Sequence, residues 1–223
     1  MNIFHQHEMF EMEVLELLKN KRLLEYLVFG GGSMLRLCHE LPRYSVDLDF
    51  WLIKEIKLEK FFSRCQQLLA GKYQLTDAHI KHYSLLFEIR SAQFPKRLKI
   101  EIRKEIKVWD LQAKIAYSKF SNKQVMLKAH TLEQTMLNKL NALMERREIR
   151  DGFDIEFLIR QGISLPDLSE SDIVKLRDRV KSYKPNEFKI TLGSILDAEL
   201  RIYYIENRFQ ILEQKLQSLL NKI

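Results

Sequence analysis

The sequence predicts an α+β protein: a mixed sheet with flanking helices, followed by a helical C-terminal module. Three observations predict it. Short alternating apolar segments separated by breakers fill most of the first 130 residues, helical periodicity alone fills the rest, and a glycine turn joins an early strand to a helix. The change of character sets the expected division, an α/β domain over 1–130 and a helical domain over 131–223.

The elements follow in order. Residues 7–20 read as a helix free of breakers, although its apolar positions form no clean stripe. Residues 26–29 form a short apolar strand that runs into Gly30-Gly31-Gly32-Ser33, and 34–40 look helical until Pro42. SVDLDFWL, 45–52, alternates as a strand should. A helix is expected over 55–69, then strands over 73–80, 84–90 and 98–103. Further strands are expected over 106–111 and 124–130. From Thr131 onward the periodicity predicts helices over 132–147, 152–161 and 171–181 and a long final pair within 190–220.

Composition bounds the function. With 46% hydrophobic and 30% charged residues, seven glycines and four prolines, the chain of 223 residues is neither fibrous, low-complexity nor disordered. No run of 18 uncharged apolar residues exists, and the acidic, interrupted opening does not resemble a signal peptide, so no membrane association is expected. Cys38 and Cys65 fit neither a disulfide framework nor a zinc site, and the six histidines show no ligand spacing. A reducing cytoplasm is the expected location. The net charge of +7 is concentrated in residues 90–150, with 15 basic and 6 acidic side chains, while 111–132 contains four lysines and no carboxylate. Such a field attracts polyanions, although a solvated basic face has the same composition.

Asp47 and Asp49 are the most informative residues. Side chains alternate across a strand, so both acids and Trp51 share one face and Val46, Leu48, Phe50 and Leu52 the other. Two like charges so close repel unless a cation lies between them, and oxygen-only ligands suit Mg²⁺ or Mn²⁺. A wet acidic edge strand would show the same D-x-D. Upstream, the strand-to-helix turn at Gly31-Gly32-Ser33 offers backbone N–H groups to phosphate, unless Ser33 merely caps the helix. Glu101, on the alternating strand Lys99-Ile100-Glu101-Ile102-Arg103, is either a third ligand or an exposed acid paired with its basic neighbours. Lys139 falls in the apolar stripe of Leu132, Met136 and Leu143, and a lysine facing the body of a protein needs an anion or must snorkel. Asp151 and Asp154 have the spacing of a helix-capping pair, and Arg146, Arg147 and Arg150 cluster beside them.

VFGGGSMLRL followed by DLDF, with 13 residues between Ser33 and Asp47, resembles the AbiEii/AbiGii-type nucleotidyltransferase toxins of the DNA polymerase β-like nucleotidyltransferase superfamily. LEQTMLNKLNALMERREIRDGFDIEFLI, 132–159, is similar to that family's second block. The resemblance implies a nucleotidyltransferase-like sheet, with the helical domain completing the active site. It implies that Gly32, Ser33 and Lys139 bind the triphosphate of an NTP, that Asp47 and Asp49 hold Mg²⁺ or Mn²⁺ with Glu101 as third ligand, and that Lys139 and Asp154 act with Asp47 and Asp49 in catalysis. Asp151 matches less well, and Gly30 stands where relatives commonly have lysine. The implied reaction is NMP transfer from an NTP, with release of pyrophosphate, to RNA and most specifically to a tRNA 3′ end. The implied setting is a toxin-antitoxin system with a cognate antitoxin. A protein acceptor, either the antitoxin or the chain's own Ser33, and a catalytically silent binding relative are the alternatives.

Overall fold

In the computed structural model, which describes residues 2–221, the chain separates into two compact units. The first comprises residues up to 40 together with 44–131, and the second comprises 41–43 with residues from 132 onward.

The first unit is built on a seven-stranded mixed sheet in the order β3-β4-β5-β2-β1-β7-β6. Its strands are β1 (Leu27–Gly30), β2 (Asp47–Leu52), β3 (Gln74–Ile80), β4 (Ser84–Arg90), β5 (Leu98–Arg103), β6 (Leu111–Tyr117) and β7 (Gln124–His130). The registers bring Phe29, Phe50, Ile102, Leu85 and Ala129 onto one face, all buried. Helices α1 (Ile3–Asn20), α2 (Gly31–His39) and α3 (Leu58–Ala70) pack on this sheet. The opposite face carries Gly30, Asp47, Asp49, Trp51, Lys99, Glu101 and Arg103. Thus period-2 alternation separates core from chemistry along each central strand.

The strand expected over 106–111 lies instead at 111–117. Ile106 and Val108 are apolar but exposed, whereas the later segment gains a ladder with β7 from Leu111↔His130 to Tyr117↔Gln124. Helix α1 lacks a clean stripe because it buries His7, Glu8 and Glu11 along with Phe10, Val14 and Leu15. Helix α2 begins at Gly31 rather than at 34, and Gly30 is its N-cap.

The second unit contains α4 (Leu132–Arg146), α5 (Ile149–Arg160), α6 (Glu170–Lys181), α7 (Ala198–Asn207) and α8 (Gln210–Leu220). Its core gathers Phe153, Tyr183, Phe188, Tyr204 and Phe209 in edge-to-face and tilted contacts. Helix α5 starts before Gly152, the residue read as its first. Gly152 is retained inside the helix because a Cβ there would lie 2.9 Å from the Phe209 ring. The long final pair is interrupted by a π-helical turn over Glu187–Leu192 and a 3₁₀ turn over Gly193–Ile195. No helix among the described residues is long and apolar enough to cross a membrane.

Candidate active site

In the first unit the register of β2 brings the candidate acids together. Asp49 stands beside Gly30 of β1 on one side and Glu101 of β5 on the other, and Asp47 stands beside Lys99. In-register neighbours on adjacent strands are roughly 4.8 Å apart, and Asp47 and Asp49 are roughly 7 Å apart along the strand. Asp47, Asp49 and Glu101 therefore share one small area of the same face.

The glycine turn is shaped around this area. Gly31 has φ +72°, a backbone conformation that L side chains rarely adopt, and a Cβ there would overlap the Asp49 carboxylate. A glycine at 31 thus lets the carboxylate approach the first turn of α2. Its N-cap, Gly30, has no side chain to offer a capping bond, and the N-terminal dipole and backbone N–H groups of a helix, those of Gly32 and Ser33 here, suit an anion. Gly30 is small for a separate reason: a Cβ there would lie 2.5 Å from the Trp51 ring.

Ser33 is not the N-cap. Its fully buried hydroxyl lies 2.8 Å from Glu11 Oε1 and 2.6 Å from the Asp47 carbonyl oxygen. Burial raises the Glu11 carboxyl pKa well above the usual range. A protonated Glu11 can donate to Ser33 Oγ, which frees the single Ser33 hydrogen for the Asp47 carbonyl. The hydroxyl therefore braces the backbone of the metal-strand candidate from behind, and what Ser33 can offer outward is its N–H. Such a buried side chain is also poorly placed to be the chain's own phosphoryl or nucleotidyl acceptor.

Glu101 is engaged by its neighbours. Lys99 Nζ lies 2.8 Å from Glu101 Oε2. Burial raises the Glu101 pKa, but the Lys99 ammonium and the Ser84 hydroxyl outweigh it, and the net shift is downward. For Lys99, burial favours the neutral amine, yet Glu101, Asp47 and Asp49 hold it charged with a net upward shift. The lysine supplies positive charge among three acids. Among the described residues, no three acidic, histidine or cysteine side chains already gather into a cage for an ion. As a donor set, Asp47 and Asp49 fit a hard divalent cation, whereas Glu101 would have to exchange its lysine for one.

In the second unit the chemistry is a buried ion cluster. Lys139 Nζ lies 3.0 Å from Asp151 Oδ1 and 2.6 Å from Asp154 Oδ2. Asp154 also accepts a two-pronged contact from Arg43, at 2.6 and 2.7 Å, and Asp151 accepts from Arg146 at 2.8 and 2.9 Å. Burial would raise both acids, but Lys139 and Arg146 around Asp151, and Arg43 and Lys139 around Asp154, bring both net shifts downward. Neither acid caps α5. The N-cap is Glu148, whose side chain makes no capping bond, and Asp151 and Asp154 point into the cluster. Arg147 is bound to Ser182 and Glu187, and Arg150 to Glu148.

Sequence reasoning missed Arg43 and Glu11. Arg43 lies between Pro42 and Tyr44 in a stretch without period, and its partner Asp154 is 111 residues away. Glu11 could have been suspected, because it breaks an apolar run on a helix that needs a buried face.

A family profile described as nucleotidyl transferase AbiEii toxin, type IV TA system, matches residues 14–215. The chain belongs to the AbiEii nucleotidyltransferase toxin family. Its reaction class is accordingly nucleotidyl transfer, and its setting is a toxin-antitoxin system. Two solved structures share the fold. JHP933 from Helicobacter pylori is 22% identical, with 96% of this chain and 95% of that chain covered and a TM-score of 0.55. A second H. pylori structure, provisionally described as a nucleotidyltransferase, is 22% identical over 95% of this chain and 97% of its own, with a TM-score of 0.56. No relative among curated proteins matches significantly.

Proposed function

We propose that this AbiEii-family chain uses a divalent cation to transfer NMP from an NTP to the 3′ end of an RNA, with a tRNA end as the preferred acceptor. One observation carries the reading: the Asp49 carboxylate packs against Gly31 at the glycine start of α2, so a candidate metal ligand and a candidate phosphate seat adjoin. Mg²⁺ or Mn²⁺ held there by Asp47 and Asp49 would neutralise triphosphate oxygens and lower the pKa of a bound hydroxyl. The chain's own part is positioning. Gly31 admits the Asp49 carboxylate, the N–H groups of Gly32 and Ser33 face phosphate oxygens, and Glu11 and Ser33 hold the Asp47 backbone. Lys99 competes with the cation for Glu101, which makes Glu101 the conditional third ligand.

In the reaction an acceptor hydroxyl oxygen bonds to the α-phosphorus, the bond to the bridging oxygen breaks, pyrophosphate departs and the hydroxyl proton is released. Lys139 enters the proposal as a phosphate-binding lysine on the strength of its match to the family block, with Asp151 and Asp154 orienting its ammonium. The basic surplus of 90–150 favours RNA over a protein as acceptor, and Lys114 and Lys128 meet no carboxylate among the described residues. An antitoxin is the proposed protein partner, and the cytoplasm, where NTP and RNA occur together, the proposed location.

The test uses purified protein, labelled NTPs, Mg²⁺ and total RNA. Small RNA should become labelled with wild type and not with Asp49→Ala or with EDTA. Equal labelling by Asp49→Ala would refute the mechanism.

A further inference from the structure

The chain contains two tryptophans, and both lie beside the acidic face. Trp51 follows Asp49 by one strand period and shares its side of β2. Trp109, in the connection between β5 and β6, places its ring 6.1 Å from that of Trp51 at an interplanar angle of 65°. The buried His130 ring lies 4.8 Å from Trp51 and 5.2 Å from Trp109. A cation lies over each ring: Arg103 is 5.5 Å from the centre of the Trp51 ring, and Lys107, which also pairs with Glu105, is 5.6 Å from that of Trp109. Gly30 clears the space that the Trp51 ring fills.

An apolar core cluster is the simplest alternative, and three features argue against it. The rings stand on the polar side of the sheet, both indoles are only part-buried, and Arg103 and Lys107 are exposed. The Trp109 indole N–H is buried and meets no acceptor among the described residues, although such donors are nearly always paired. Two part-exposed indoles side by side, each with a cation over its ring, form the kind of surface that unstacked bases and their phosphates recognise.

We propose that Trp51 and Trp109 form a stacking platform for a nucleobase, with Arg103 and Lys107 receiving the attached phosphate. The proposal rests on nucleotidyl transfer at Asp47 and Asp49 and names the adjoining base subsite. The base is brought either by the incoming NTP or by the 3′ end of the acceptor strand, which share this chemistry.

Because these are the chain's entire tryptophan content, indole emission of the full-length protein reports the site directly. It should be titrated with each Mg²⁺-NTP, with a single-stranded RNA oligonucleotide bearing a free 3′ hydroxyl, and with inorganic triphosphate, which has phosphates and no base. Quenching by NTPs assigns the platform to the incoming nucleotide, and quenching by the oligonucleotide assigns it to the acceptor. Either supports the proposal, and inorganic triphosphate, which can move the cations but cannot stack, should quench far less. No quenching by any base-bearing ligand, or equal quenching by inorganic triphosphate, overturns it. Trp109→Ala should weaken binding of the quenching ligand by roughly tenfold or more, and the wild-type titration stands whether or not that variant folds. Calorimetry of inorganic triphosphate with and without Mg²⁺ separates the two readings, since loss of metal-dependent binding there defeats the transfer reading and leaves the base platform to its own result.

Discussion

Replacing Asp154 by alanine tests whether this acid holds the second unit together or serves the chemistry alone. Asp154 is fully buried and takes Arg43 at 2.6 and 2.7 Å and Lys139 at 2.6 Å. Its truncation takes from Arg43, itself 3% exposed, both of these carboxylate contacts, while Lys139 keeps Asp151. Removing one partner of a buried ion pair costs about 3–5 kcal/mol, against a typical total of about 5–15 kcal/mol for a domain. With a urea slope of about 2 kcal/mol/M, the midpoint should fall by about 1.5–2.5 M in equilibrium denaturation of the full chain at pH 7. Arg43→Met with Asp154→Leu removes both charges together and should recover most of that loss. The effect of Asp154→Ala should also fade in acid. Both aspartates have folded pKa values below their unfolded ones, so their stabilisation is present above the unfolded value of about 3.9 and is lost as pH falls through the folded values. A wild-type midpoint for Asp154→Ala, combined with lost transfer activity, would refute this reasoning and return Asp154 to the reacting phosphates.

Two further substitutions probe the first unit. Glu11→Gln keeps the shape and a donor for Ser33 while removing a carboxyl whose folded pKa is raised; Glu11 stabilises fully below its unfolded value of about 4.3 and loses that contribution as pH rises through the folded pKa, so the variant should be the more stable one at alkaline pH in thermal melts. An unchanged pH profile would show that Glu11 is not held neutral. Gly31→Ala meets a positive φ and the Asp49 carboxylate together; it should cost about 1–2 kcal/mol from the backbone alone and abolish Mg²⁺-dependent triphosphate binding by calorimetry, and wild-type binding would show that the close approach is dispensable.

Strands β5 and β7 fall at the residues their alternation predicts, because a half-buried strand records its own environment every second residue, and β4 falls as expected as a short apolar run buried over Ser84–Phe87. Strand β6 does not, since Leu111, Ile115 and Tyr117 are exposed on an edge strand and the same alternation appears in Ile106 and Val108. The candidate site divides in the same way. The common side of Asp47, Asp49 and Trp51 is legible from β2 alone. The commitments of Glu101 to Lys99, of Ser33 to Glu11 and the Asp47 carbonyl, and of Lys139 to two aspartates are not.

By itself, then, the sequence determined the central strands, the face that bears the acids and the glycine turn at the start of α2, because backbone periodicity and the sterics of glycine act over a few residues. Only the tertiary structure decided which buried charges are neutralised and by what, why Gly30 and Gly152 must stay small, and where the last helices break. Those outcomes depend on contacts between residues distant in the chain, such as Arg43 with Asp154 and Phe209 with Gly152, and such contacts leave no periodic signature in the local sequence.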